Sequence, residues 1–466
     1  MVQVLWVSAP FLLHLRSGYI GNPAQSLTPP TNVSRNKHVY NISALIHTQN
    51  CRRKLYSVYL EGFLLCKVRY KDLHLWNEQI YRVFGNRLPK FPPKYYLAMT
   101  KAMTNERRLQ LEQYLQQIVS DPVVTSSEIF MEYFKKLQMD TFNMPTVQLI
   151  LRIYMPDGAA VELDVQTSDS AERVLEAALF KLGVSRELGE YFSLFITHKE
   201  AKGPFTVLSL VVKRIAGFEL PFLTIWNLED DQFQIEVRKW YMNPSNDAML
   251  MGSTEAIDLL YLQAVQEFQM EWTRPTKDQQ QKLQHCLKQQ NKLKFLELMK
   301  TVEYYGYLHI TSCTSDYPEC DSEVTIWVGN NEMSCHFYSP GGHAENLRLS
   351  IKDLICWNVT LLPKKQEVMS PNHQHLELKF DYQQGSSLKC ITIHTEQAFL
   401  LSSCLKKMLS ERPVHRCKEE LEIQVDKATC KSNIRPEQNG VHAKKQALLK
   451  DKREYCVVDN ISDLDL

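Results

Sequence analysis

Beyond residue 53 the chain has no long apolar run. Nothing there approaches the roughly 18 consecutive apolar residues that a membrane-spanning helix needs. Net charge is also missing: 54 Lys and Arg stand against 53 Asp and Glu, so nucleic acid meets no global attraction and any basic site must be local. The 12 Cys include no C-x-x-C pair and no Cys/His spacing suited to a metal. They read as reduced, mostly buried thiols of a cytosolic protein, with no disulfide framework expected. The phosphate loops G-x-x-x-x-G-K-[ST] and G-x-G-x-x-G, the metal-protease H-E-x-x-H and the G-x-S-x-G elbow are absent. Gly341-Gly342 lies between expected strands with no helix following. His373 and His375 sit in a polar loop, and His285 and Cys286 lie on a polar helix with no partner at metal spacing. No catalytic residue, metal or cofactor is expected, and the chain does not read as an enzyme. Internal repeats are absent as well.

The first 53 residues contain no Asp or Glu, four Pro, and an apolar stretch from Val2 to Leu15. A signal peptide would need a charged leading segment and a small-residue cleavage site, and neither is convincing. Asn32-Val33-Ser34 and Asn41-Ile42-Ser43 fit a glycosylation pattern that is short and common by chance. The expectation for 1–53 is an atypical, disordered extension.

What is present is ordinary globular composition, 44% apolar and 23% charged, at a length that suits two to four domains. Leu55 to Leu60 and Phe63 to Val68 alternate around Glu61-Gly62 and predict a hairpin with a two-residue turn. Helices are predicted over Asp72–Phe84, Thr104–Val119 and Ser126–Leu137, separated by a Pro-rich loop, Leu88 to Pro93. A second hairpin, Val147–Tyr154 and Ala159–Val165, precedes a helix whose start is marked by Asp169 and Glu172. Tyr191 to Thr197 then reads as a strand, which completes a ubiquitin-like order. Ala256 to Val302 is helical in pattern, Tyr307 to His394 is β-rich, and Gln397 to Leu409 is a last helix. Residues 412–455 carry 11 Lys/Arg and 7 Asp/Glu with few large apolar groups and read as a disordered linker. The last eleven residues reverse sign, with Asp459, Asp463 and Asp465 and no Lys or Arg.

Three basic groups stand beside geometry-fixing residues. Arg69-Tyr70 ends a strand, Lys94 follows Pro92-Pro93, and Arg107 lies one turn before the packed Leu111. Residues 54–115 hold 11 Lys/Arg against 5 Asp/Glu, a local excess of six. An anionic membrane attracts such a patch by about 1 kcal/mol per basic residue near the surface. Arg69 offers a planar fork for phosphate. Tyr70 offers a ring for a sugar face, and the stiff prolines present Lys94 with little entropy to lose. The pattern predicts a lipid-headgroup pocket, with Arg108, Lys67 and Lys90 as solvated rim charges.

Several stretches carry a family likeness: Trp76-Asn77-Glu78-Gln79, Val83-Phe84-Gly85-Asn86, Phe91-Pro92-Pro93-Lys94-Tyr95-Tyr96-Leu97-Ala98-Met99-Thr100, Tyr305-Gly306-Tyr307-Leu308 and Gln397-Ala398-Phe399-Leu400-Leu401-Ser402-Ser403-Cys404-Leu405. From about residue 54 onward the chain resembles the sorting nexins that join a PX domain to a FERM-like module. The fold class so implied is α+β and multidomain: a PX domain (54–140), a ubiquitin-like first lobe (147–241), a helical second lobe (242–305), a phosphotyrosine-binding-like third lobe (306–411) and a disordered tail (412–466) ending in a docking motif. Relatives place the first PX strand within the stretch the resemblance omits, and His38 to Ile46 is a substitute strand candidate.

The resemblance implies that Arg69 holds the 3-phosphate of phosphatidylinositol 3-phosphate, Lys94 the 1-phosphate and Arg107 the ring hydroxyls, with Tyr70 beside them. It implies that an unphosphorylated Asn-Pro-x-Tyr-type receptor tail adds a strand to the third lobe. The expected edge is Leu349 to Leu361, with Ile355, Trp357 and Val359 alternating, and with Ala398, Leu401, Ser402 and Leu405 lining a groove. Asn460, Ile461, Asp463, Asp465 and Leu466 resemble an acidic tail that docks on the Retriever recycling complex, with Leu464 in place of an acidic residue. The function implied is a cytoplasmic cargo adaptor, peripheral on early endosomes. The alternative is a scaffold that binds a Ras-type small GTPase through Arg152, Lys181, Arg186 and Lys199 of the first lobe.

Overall fold

Alternation around a turn that needs positive φ builds the first hairpin. Strands β2 (Leu55–Leu60) and β3 (Phe63–Val68) pair antiparallel from Leu60↔Phe63 to Tyr56↔Val68, with Glu61 at φ 52° and Gly62 at φ 86° between them. Strand β1 (Ile42–His47) pairs with the outer side of β2, from Ile42↔Leu60 to His47↔Leu55. The extension expected to be disordered over 1–53 therefore contributes a strand to the first sheet. The structure, a computed structural model, describes residues 42–47, 55–94, 100–201, 207–228, 230–361, 376–385 and 387–411. The expected linker 412–455 and the acidic terminus lie outside the described residues.

Helices cover the small sheet. α1 (Tyr70–Phe84) buries Leu73, Trp76 and Ile80 on one face and stops at Gly85, φ 53°. α2 (Lys101–Val119) starts earlier than periodicity predicts, because the Thr100 side chain caps Met103 N at 3.2 Å. A short α3 (Pro122–Thr125), capped by Asp121, and α4 (Glu128–Phe142) follow. Trp76 stacks on Tyr133 at 4.7 Å and meets Phe130 and Phe134 edge-on.

The second sheet runs in the order β5-β4-β8-β6-β7. Its strands are β4 (Gln148–Tyr154), β5 (Ala160–Gln166), β6 (Phe192–Ala201), β7 (Val207–Arg214) and β8 (Phe233–Lys239). The parallel β4–β8 pairing gives it the expected ubiquitin-like topology. α5 (Ala171–Lys181) and α6 (Pro221–Trp226) pack on it. The cap of α5 is Ser170, whose hydroxyl accepts from Arg173 N. Asp169 instead accepts from Gln166 N at 2.8 Å and closes the preceding turn.

The helical stretch divides into α7 (Thr254–Gln269), α8 (Lys277–Lys288) and α9 (Lys292–Met299), each with its own cap at Ser253, Thr276 and Asn291. The third sheet runs β12-β11-β10-β9-β15-β14-β13. Its strands are β9 (Leu308–Ser315), β10 (Ser322–Gly329), β11 (Glu332–Tyr338), β12 (Ala344–Ser350), β13 (Leu354–Leu361), β14 (Leu376–Gln384) and β15 (Ser387–His394). α10 (Ala398–Glu411) closes the lobe over this core.

The four parts are not beads on a string. Ala216 and Phe218, from the loop after β7, belong to the core of the first unit rather than to their own lobe. Gln138 of α4 donates to Phe218 O and accepts from Leu220 N, each at 3.0 Å. Glu411, at the end of α10, accepts from Met242 N and Asn243 N at 3.0–3.1 Å.

Candidate lipid pocket and peptide edge

The end of the first hairpin brings Tyr70, Arg107 and the Pro92 loop together. Arg69 caps α1 in extended conformation (φ −90°, ψ 149°), and its carbonyl takes Asp72 N and Leu73 N at 3.1 Å. Its side chain is exposed. Tyr70 begins the helix, and its hydroxyl donates to Pro92 O at 2.9 Å, which ties the Pro-rich loop to the strand end. The Arg107 guanidinium lies 4.3 Å from the centre of the Tyr70 ring. One ring face therefore carries Arg107, and Tyr70 works as the platform that aims it. Phe91 wedges beneath, 5.7 Å from Tyr70 and 4.8 Å from Tyr114. Tyr114 is anchored by a 2.7 Å bond to Asn77. Burial pushes the Tyr56 hydroxyl up, opposed by the charge of Arg107. Lys94 is exposed two residues beyond the tethered Pro92.

Arg108 does not sit on the rim. It is buried at 8% exposure, bonds Glu112 at 2.9 Å and reaches Asn105 at 3.1 Å. One residue along a helix turns the side chain by about 100°, away from the pocket and onto the helix's own flank. Lys67 is half-buried and Lys90 exposed.

The expected peptide edge, Leu349 to Leu361, is two strands at opposite ends of the third sheet. Leu349 is on β12 and the rest of the apolar alternation on β13. The chain turns between them, where Asp353 N donates to Ser350 O at 2.9 Å. β13 pairs with β14 and is a sheet edge among the described residues. Trp357 and Val359 are half-buried and pack partly on the core. The Trp357 indole donates to Ser402 Oγ at 2.9 Å. Ile355 sits at a bulge between Leu354 and Cys356 and is 45% exposed.

Ala398, Leu401 and Leu405 do not line an open groove. All three are fully enclosed in the lobe core, because α10 turns their face toward the sheet. Ser402 is also buried, and it serves as the acceptor for Trp357. Sequence reasoning placed Ser402 on the groove but missed this bond. Phe399 of α10 is half-buried and packs on the same core. Asn460, Ile461, Asp463, Asp465 and Leu466 lie outside the described residues, as do His373 and His375.

β5, one of the first lobe's two edge strands, presents Glu162 and Asp164. Its basic groups are engaged within the lobe. Arg152 pairs with Glu162 at 3.0 Å, Arg186 with Glu176 at 2.8 Å, Lys181 bonds Glu162 O, and Lys199 covers the Tyr154 ring at 4.7 Å. Among the described residues no group of three His, Cys, Asp or Glu is placed to hold a metal, and no helix is long and apolar enough to cross a membrane. Burial pushes the thiols of Cys66, Cys335 and Cys404 up and that of Cys313 to about 12, which disfavours thiolate chemistry.

The chain is similar to known proteins along most of its length. The PX domain family matches residues 63–137. The sorting nexin 17/27/31 FERM F1 lobe matches 149–242, the sorting nexin 17/31 FERM F2 lobe 243–303, and the sorting nexin 17 FERM C-terminal domain 306–413. A sorting nexin-31 of Xenopus tropicalis is 98% identical over 419 residues, 90% of this chain and 97% of that protein. The human sorting nexin-31 is 43% identical, over 89% of this chain and 96% of that protein. The human sorting nexin-17 is 34% identical over 78% of each. Among solved structures, a MyTH4-FERM MF2 domain of Dictyostelium discoideum myosin VII aligns with a TM-score of 0.40 at 10% identity, covering 73% of this chain and 74% of that one.

Proposed function

Because the chain belongs to the sorting nexins, in the group of sorting nexin-17 and sorting nexin-31, we propose that it is a peripheral adaptor for sorting on endosomal membranes. The PX domain would bind phosphatidylinositol 3-phosphate through Arg69, Lys94 and Arg107, with Tyr70 holding Arg107 in place. The third lobe would take unphosphorylated Asn-Pro-x-Tyr-type receptor tails as an added strand on β13, beside Trp357, Val359 and Ile355. The tail, with Asn460, Ile461, Asp463, Asp465 and Leu466, would pass cargo to Retriever for recycling.

The observation that carries this reading is the Arg107–Tyr70–Pro92 assembly beside Arg69. In it Arg69 adjoins Tyr70, whose ring meets Arg107 and whose hydroxyl bonds Pro92, two residues before Lys94. The test is vesicle co-sedimentation at physiological salt, with and without phosphatidylinositol 3-phosphate. Arg69→Gln should lose at least tenfold in affinity, as expected for about 1.5–3 kcal/mol from a charge-assisted contact, with the melting temperature unchanged. Undiminished binding by folded Arg69→Gln would refute the lipid site. The tail is tested separately, by Retriever capture with the intact chain and with Asp465-Leu466 deleted. Equal capture would refute tail docking.

A further inference from the structure

Glu61 is an unexpected residue for its position. A two-residue hairpin turn with both φ values positive favours Asn, Asp or Gly at its first place, and Glu adopts φ 52° there at a conformational cost. A turn carboxylate also normally faces water, yet Glu61 is 4% exposed. Its Oε1 accepts from Ser403 Oγ on α10 at 2.7 Å, across 342 residues of sequence. The same turn is gripped from β7. Lys213 Nζ donates to Leu60 O at 3.3 Å, pairs with Glu219, and lies 5.0 Å from the Phe63 ring. Lys213 is itself 2% exposed. The turn of the PX hairpin is thus seated between the first and third lobes, which Gln397 also links through a 2.7 Å bond to Val211 O.

The two ends of this joint lead to the two candidate sites. β3 runs from the turn to Arg69. On α10, the residue before Ser403 is Ser402, the acceptor for Trp357 on the edge strand. A continuous line of strand, carboxylate, helix and indole therefore connects the lipid end of the hairpin to the peptide edge. We infer that Glu61 is a positioning residue that locks the PX hairpin onto α10, so that ordering of the lipid pocket is transmitted to the peptide-facing helix. The transmitted part rests on the lipid and peptide reading above; the lock does not.

Two variants separate this role from ordinary turn stability. Glu61→Asn supplies a better turn residue but is one methylene too short to keep its acceptor on Ser403. Glu61→Gln keeps the length and an acceptor oxygen. The measurement is amide hydrogen exchange across residues 398–411 in the full chain, first without ligand and then with soluble short-chain phosphatidylinositol 3-phosphate. Without ligand, Glu61→Asn should exchange several-fold faster in α10 than Glu61→Gln, which keeps the bond to Ser403 and gives up only the charge that faces Lys213, Arg214 and Lys406. With the headgroup, protection of α10 should rise in wild type and Glu61→Gln, and fail to rise in Glu61→Asn, which still binds it. Wild-type exchange rates in ligand-free Glu61→Asn would overturn the lock. Headgroup protection that reaches α10 equally in Glu61→Asn, or does not reach it in wild type, would overturn the transmission. A wild-type chain that does not bind the headgroup would count against the proposed lipid function, and the ligand-free comparison would still decide the lock.

Discussion

Arg107 and Arg108 are neighbours on one helix and almost equally buried, at 7% and 8% exposure, yet they have different work. Arg107 stacks on Tyr70 at the pocket, whereas Arg108 is matched to Glu112 at 2.9 Å. Arg107→Ala should therefore reduce binding to phosphatidylinositol 3-phosphate vesicles at least tenfold. Arg108→Ala should leave that affinity within about threefold and lower stability by about 1–3 kcal/mol, because the largely buried Arg108–Glu112 pair is broken. Co-sedimentation and urea denaturation of the two variants check the split. A second residue-scale effect concerns His336, which is 5% exposed and bonded to the Tyr304 hydroxyl at 3.0 Å. Burial holds its pKa below the ordinary 6.5; Arg274 and Arg348 add to the lowering, and Glu303 opposes it. Below pH 6.5 the unfolded chain takes a proton on this ring that the folded chain refuses until its lower pKa is reached. Stability is thus complete above that pH and falls as pH drops through this window. The drop in melting temperature between pH 7.5 and 5.5 should be smaller in His336→Gln than in wild type. An identical drop would show that folding leaves the titration of His336 unshifted.

At the scale of elements, α10 separates core from site. Leu401 is wholly enclosed, while Trp357 across from it is half-buried on an edge strand. Leu401→Ala should cost about 2–5 kcal/mol of stability and leave peptide affinity of the folded chain unchanged. Trp357→Ala should weaken binding of an Asn-Pro-x-Tyr peptide by about 2 kcal/mol or more, beyond its effect on stability. Calorimetry at a temperature where both variants are folded distinguishes them. Such elements were legible in sequence wherever the signal was local. The hairpin around Glu61-Gly62 and the C-terminal end of α1 follow from period and turn residues, whereas α1 starts two residues before the expected Asp72 and α10 ends two residues after the expected Leu409. The peptide edge was misread because Leu349 and Ile351 continue the apolar alternation up to β13, while the turn at Ser350–Asp353 sends the strands to opposite ends of the sheet. The inward face of α10 has the same composition whether it lines a groove or fills a core. Only packing against the sheet decides it, and a periodicity cannot report that.

At the scale of the whole molecule, the boundary between PX and FERM parts is where sequence says least. Phe218 lies in a loop of the first lobe, with no pattern to mark it, yet its side chain is 4% exposed within the PX core. It meets Phe130 edge-on at 5.1 Å and Phe134 at 5.8 Å, and its carbonyl accepts from the buried Gln138. The PX helix α4 therefore packs against a side chain supplied from another lobe. Removing it should create a cavity on the PX side of the boundary. Phe218→Ala in the full chain is expected to cost about 3–5 kcal/mol. The location of the loss is the sharper test. Amide exchange should accelerate in β2, β3 and α4, which share a core with Phe218, while β10 and β14, buried in the third lobe, keep wild-type rates. Phosphatidylinositol 3-phosphate binding should weaken along with the PX core, because the hairpin that carries Arg69 loses its backing. If acceleration were confined to β6 and β7 and the PX strands were unaffected, Phe218 would belong to its own lobe and the two parts would fold as independent domains.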